Sequence, residues 1–131
     1  MKSQPQWLPT NAREFEEVCA EWMRWFGFWD ATRTPMGADG GIDIAAWNAV
    51  AQAKFWSRQV SPATVRDLNG VRAAQNVQYA LVFANHPGFS KKAREFALRT
   101  GVDLFVFEPI TRSFHGLTPR AREWCQGRKV R

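Results

Sequence analysis

The sequence predicts an α/β domain with a mixed central sheet flanked by helices. Three observations predict it. Phe15, Val18, Cys19, Trp22 and Phe26 recur at three- and four-residue spacing, one apolar helical face. Residues 77–84 form an almost unbroken apolar run, the mark of a strand buried on both sides. A second helical pattern and a further strand follow that run, a strand-helix-strand unit that implies a right-handed parallel crossover.

Each element has a local cause. Residues 1–10 contain Pro5 and Pro9 and read as an irregular lead-in. Asn11 is a good N-cap, with Glu14 three residues on, and Gly27 suits the C-terminal stop. Residues 28–34 are rich in strand formers, and 35–41 form a loop with three glycines. Residues 42–47 alternate as a strand, Asn48 begins a tight turn, and 50–56 make the next strand. Ser61-Pro62 fits an N-cap and first helical residue, with Val65, Leu68 and Val71 inward to about Gln75. Ser90 caps a helix with Ala93, Phe96 and Ala97 inside, closed by Gly101. Residues 102–107 make a last strand, and Thr118-Pro119 starts a short basic helix. The expected order is α-β-β-β-α-β-α-β and then a tail. The first three strands read as an antiparallel meander.

Composition narrows the class. A chain of 131 residues with 45% hydrophobic and 23% charged residues is ordinary for a globular domain, which argues against disorder. No run of eighteen apolar residues is present, so no membrane span is expected, and the N-terminal stretch lacks a secretory pattern. Cys19 and Cys125 are isolated, which excludes a zinc ribbon or disulfide framework; a reducing cytoplasm is expected. The net charge of +6 is uneven: residues 1–108 carry a net +1 and residues 109–131 a net +5. The expected organisation is a domain over 1–108 with a basic C-terminal extension over 109–131. Such an extension suits a polyanion or a solvated surface.

The informative stretch is 40–56. A two-residue turn at Asn48-Ala49 pairs Asp43 with Lys54; a turn one residue earlier pairs Asp43 with Gln52. Strict alternation puts Asp43, Gln52 and Lys54 on one face in either register. Ile42, Ile44, Ala46, Ala51, Ala53 and Phe55 then share the other. An acid and an amide oxygen are hard ligands that suit Mg²⁺, and a lysine beside the metal can orient water or offset charge on a phosphate. The same three residues also suit the solvated face of an antiparallel sheet.

The pattern Gly40-Gly41-Ile42-Asp43-Ile44, a short hairpin and then Val50-Ala51-Gln52-Ala53-Lys54 resembles the Mrr-like branch of the PD-(D/E)xK nuclease superfamily. That branch carries Q-x-K where other members carry E-x-K. Phe15-Glu16 resembles its F-E, and Phe26-Gly27-Phe28 its G-[FY]. Phe83-Ala84, Phe89-Ser90, Ala93, Phe96-Ala97 and the stretch 101–105 resemble its closing strand-helix-strand. The resemblance covers roughly residues 14 to 107. It implies a restriction-endonuclease-like αβββαβ core and a DNA endonuclease that hydrolyses phosphodiesters with Mg²⁺ or Mn²⁺. It carries over Glu16, Asp43, Gln52 and Lys54 as catalytic residues, with Asp43, Gln52 and the Ala53 carbonyl as metal ligands. Glu16 is preferred to Glu17 because it follows Phe15.

Relatives of this type usually carry a separate DNA-recognition domain, so a homodimer or a separate recognition subunit is an expected partner beside DNA. Arg58, Arg66, Lys91, Arg120, Arg122 and Arg128 are the expected phosphate contacts. Trp47 and Trp56 fall on the site face by parity and are expected to wall it. Trp25 and Trp29 are candidates for a dimer contact. Asp39, in the glycine loop, suits a turn or a second metal, and His86 suits a strand-end site or a surface loop. A Holliday-junction-resolvase-like nuclease, a catalytically weak DNA-binding module and an interaction subunit are the alternative readings.

Overall fold

A computed structural model describes residues 3–35 and 41–130. Asp39 lies outside the described residues. Helix α1 spans Ala12–Phe26. The Asn11 side chain accepts the Glu14 amide at 2.8 Å, and the Glu14 carboxylate accepts from the Thr10 amide and hydroxyl. Gly27 ends the helix at φ +116, a left-handed conformation that a Cβ would oppose.

The strands are β1 (Thr32–Arg33), β2 (Ile44–Ala46), β3 (Ala49–Lys54), β4 (Tyr79–Asn85), β5 (Asp103–Glu108) and β6 (Ser113–Gly116). They form one sheet in sequence order. The β1-β2, β2-β3 and β5-β6 pairs are antiparallel, and β3-β4 and β4-β5 are parallel. Parallel pairing needs crossovers, supplied by α2 (Pro62–Gln75) and α3 (Lys91–Thr100). The first strand is shorter than expected: Phe28 is buried beneath α1 instead of entering the ladder.

Both sheet faces are covered. On one, α1 packs Phe15, Trp22 and Phe26 against Ile44, Ala51, Leu81, Phe83 and Phe105. On the other, Val65 and Leu68 of α2 and Ala93 and Ala97 of α3 pack against Val50, Ala80, Val82 and Leu104. The expectation of a water-facing polar side on β3 is therefore corrected: the face that carries Gln52 is a second core. No described helix is long and apolar enough to cross a membrane.

The C-terminal residues extend the same fold. The boundary expected at residue 108 falls between β5 and β6, which are hydrogen-bonded neighbours. Strand β6 has no counterpart in the expected order, because Ser113, His115 and Gly116 give its four residues little apolar pattern. Helix α4 (Pro119–Cys125) buries Ala121 and Trp124 in the α1-side core. A Cβ on Gly116 would collide with the α4 backbone at Ala121 and Arg122, so α4 closes on β6 only through glycine.

Candidate functional site

The hairpin register is Ile44↔Ala51, Ala45↔Val50 and Ala46↔Ala49. This is the earlier of the two turns that the sequence allows. The ladder then breaks. The Asp43 amide also donates to the Ala51 carbonyl, at 2.9 Å, so Asp43 and Ile44 together oppose one residue. That is a β-bulge, which bends a strand and re-aims its side chains. Its effect is visible in the neighbours: Ile42 buries with the α2/α3 core and Ile44 with the α1 core, although two-residue spacing would put both on one face.

The single-face expectation for Asp43, Gln52 and Lys54 is corrected accordingly. Gln52 and Lys54 alternate with the α1-facing Ala51 and Ala53 and so leave β3 on the α2/α3 side. The Asp43 carboxylate instead lies at the strand edge, where its Oδ2 accepts the Ala53 amide at 2.8 Å. The amide and carbonyl of one strand residue leave on the same edge, so the Ala53 carbonyl points to the Asp43 side as well.

Gln52 is 6% exposed. Its Nε2 donates to the Gly41 carbonyl. That bond fixes the amide orientation, because the flipped amide would set two oxygens against each other. Among the described residues no donor reaches the buried Gln52 Oε1. Gly41 makes this possible: its φ is +85, and a Cβ there would stand 2.5 Å from Gln52 Nε2. Sequence reasoning noted the glycine loop but missed this contact, which no local pattern reveals.

Electrostatics tie α1 to the same place. Burial raises the Asp43 carboxyl above its ordinary value, against the Ala53 amide and the Lys54 ammonium, which lower it. Burial, and then the Asp43 charge, raise Glu16. Glu17 is committed elsewhere, to Arg24 at 3.0 Å and Arg33 at 3.2 Å. Cys19, fully buried beside Asp43 and Glu16, is held strongly as the thiol.

Lys54 lies 4.9 Å from the Trp56 ring centroid and Arg58 lies 4.1 Å from it. The Trp56 amide donates to Asn85 Oδ1 at 2.9 Å, a second partner that the sequence did not single out. Trp47 is at the hairpin tip and 59% exposed. Ala49 pairs with Tyr79 and Lys54 with Ala84, so the hairpin tip and Lys54 occupy opposite ends of the sheet. Trp47 therefore does not wall the site. Trp29 is 74% exposed, and Trp25 is half-buried against the core.

The expected phosphate contacts divide by position. Arg58 and Lys91 are exposed at the Lys54 end, where β4 runs out and α3 begins. Arg66 is exposed on α2. Arg120 is brought to the other end: it pairs with buried Asp103 at 2.7 Å and lies 4.8 Å over the Tyr79 ring. Six strand residues separate the two ends, about 16 Å at the usual rise, so Arg120 and Lys54 do not meet on one phosphodiester. Arg122 is exposed on α4, and Arg128 pairs with Glu123 at 3.7 Å.

Among the described residues no group of three or more His, Cys, Asp or Glu is placed to hold a metal. The candidate oxygens are the Asp43 carboxylate and the Ala53 carbonyl at the β3 edge and the buried Gln52 side-chain amide. All three are hard donors of the kind that Mg²⁺ takes alongside water. The unpartnered Gln52 oxygen fits such a cation, which would satisfy it.

Neither a curated protein nor a solved structure matches the chain. The family model of the Mrr catalytic domain, described as restriction endonuclease, matches residues 9–114, from the lead-in to α1 to the start of β6. With that span of the fold matched, the chain belongs to the Mrr-type restriction endonuclease family.

Proposed function

We propose that the chain is a metal-dependent DNA endonuclease that hydrolyses phosphodiester bonds with Mg²⁺ or Mn²⁺. The observation that carries the reading is the buried Gln52 Oε1, without a donor among the described residues, on the strand whose Ala53 amide binds Asp43. A buried acceptor left unmet costs about 1–3 kcal/mol, and a cation shared with Asp43 removes that cost.

Asp43, Gln52 Oε1 and the Ala53 carbonyl would hold the metal. When bound, it supplies positive charge at the phosphate and acidifies a water. Lys54 orients the attacking water and offsets charge that develops on the phosphate oxygens. Glu16, raised by burial and by Asp43, is suited to hold a proton near the site. In the reaction the water oxygen bonds to phosphorus and one phosphorus–oxygen ester bond breaks. The departing oxygen takes up a proton. Arg58, propped on Trp56, would meet a flanking phosphate.

Nicking of supercoiled plasmid with and without Mg²⁺ tests the proposal. The parent chain should cut only with the metal, and Lys54→Ala and Asp43→Asn should not cut. Metal-independent cutting, or variants as active as the parent, would overturn it. Four-way junctions cut in preference to linear duplex would favour a resolvase-like enzyme instead.

A further inference from the structure

A cavity of ≈ 200 Å³ lies between Leu8, Pro9, Phe55, Asn85, His86 and Phe107. We propose that it receives one unstacked nucleobase of the substrate strand, next to the scissile phosphate. The inference rests on the nuclease reading above and extends it to how the substrate is held.

Position is the first argument. Phe55 follows Lys54, and Asn85 follows Ala84, the β4 partner of Lys54. The cavity therefore opens at the sheet end that carries Lys54, on the α1 side, where Phe55 and Phe107 pack. Phe15 lies 5.2 Å from Phe55 and 6.3 Å from Phe107, centroid to centroid, and the next residue of α1 is Glu16. A scissile phosphate held at this end of the sheet would present its base to the opening from the α1 side.

Chemistry is the second. The walls are two aromatic rings with Leu8 and Pro9, a surface on which any base can stack. The polar groups are few and sit at one side. Asn85 Oδ1 is occupied by the Trp56 amide, which leaves the Asn85 amide N–H groups to donate to a base carbonyl or ring nitrogen. His86 beside it is exposed and adds a ring that can stack or hydrogen-bond. An apolar slot with a few placed polar groups is the usual form of a small-ligand site.

Size is the third. Drug-sized ligand sites begin at roughly 300 Å³; this one is smaller and suits a single ring system. Arg58 and Lys54 lie at the same end of the sheet, on the Trp56 side, and supply charge for the phosphates that flank the base.

The experiment places 2-aminopurine at successive positions in single-stranded and duplex oligonucleotides and adds the full chain as Asp43→Asn, which binds without cutting. One position next to the cleavage site should change emission several-fold, and Leu8→Trp, which fills the cavity from its exposed rim, should abolish that change. An abasic residue at that position should raise the parent's KM about 10-fold and leave the KM of Leu8→Trp unaltered. A signal in both oligonucleotide types means that the base is flipped from duplex; a signal in the single strand alone means that it is taken already unstacked. Both outcomes support the cavity assignment. A parent that cuts DNA while emission and KM ignore position and Leu8→Trp would overturn the base site and leave the nuclease reading intact. A parent that neither binds nor cuts DNA would overturn both.

Discussion

The Asp43 carboxylate accepts the Ala53 backbone amide at 2.8 Å, where a side chain takes the place of the next rung of the β2-β3 ladder. The bond exists because a bulge at Asp43 swings the carboxylate to the strand edge. It leaves an acid that is partly stripped of water yet held by a neutral donor, and its carboxyl is raised.

That arrangement makes Asp43 a cost to stability. A carboxyl raised in the fold binds more protons there than in the unfolded chain, so stability falls as pH rises from the ordinary carboxylate range through the raised value. Asp43→Asn should therefore melt higher than the parent at pH 7, by a few degrees, while it loses cleavage. The gain should shrink as pH falls through the raised value, because the parent carboxyl is then protonated too. Thermal melts of both proteins across that range check it. Mg²⁺ should raise the parent's melting temperature and leave that of Asp43→Asn unchanged.

Gln52→Glu should separate metal affinity from apo stability. A carboxylate adds charge toward the cation but cannot donate to the Gly41 carbonyl. We expect a lower melting temperature without metal, a larger rise when Mg²⁺ is added, and half-maximal cleavage at lower Mg²⁺ concentration than in the parent. Calorimetric Mg²⁺ titration and melts provide the two numbers.

Gly41→Ala should damage the site through backbone and space together. The φ of +85 disfavours a side chain, and the new Cβ would crowd Gln52 Nε2. We expect a loss of about 1 kcal/mol in denaturant unfolding and a larger loss in Mg²⁺-dependent nicking.

Trp56→Ala should weaken substrate binding more than the chemical step. Its ring supports both Arg58 and Lys54, and each such contact contributes about 0.5–2 kcal/mol. KM should rise about 10-fold with a smaller fall in kcat, and Trp56→Phe should recover most of the loss. Steady-state cleavage of a short duplex measures this.

Removal of residues 109–131 should unfold the protein. The segment contributes β6, and its Phe114 and Trp124 are buried in the α1-side core. Burial of each such side chain stabilises by about 1.5–3 kcal/mol, so a stop after residue 108 should give a broad or absent melting transition by circular dichroism.

Much of this fold was written locally. Asn11 and Gly27 bound α1, Ser90 and Gly101 bound α3, and the apolar run after Val77 became the buried β4. The exceptions have physical causes. Strand β6 carries too few apolar residues for periodicity to register, and its place comes from pairing with β5. The basic composition of 109–131 suggested an independent tail, yet α4 uses Arg120 to neutralise buried Asp103. A charge whose partner lies seventeen residues away looks free in a linear reading.

The amino-acid order by itself determined which residue types meet on the β2-β3 hairpin: the spacing of Asp43 from Gln52 and Lys54, and the short turn between them, are properties of the chain. Only the folded chain decided how they meet. The bulge set Asp43 against the usual alternation, and packing buried Gln52 while Gly41 took its amide nitrogen and left the oxygen unmet. Alternation holds only while every ladder rung is made. Where one is replaced, side-chain direction follows the particular hydrogen bonds and packing of the three-dimensional neighbourhood.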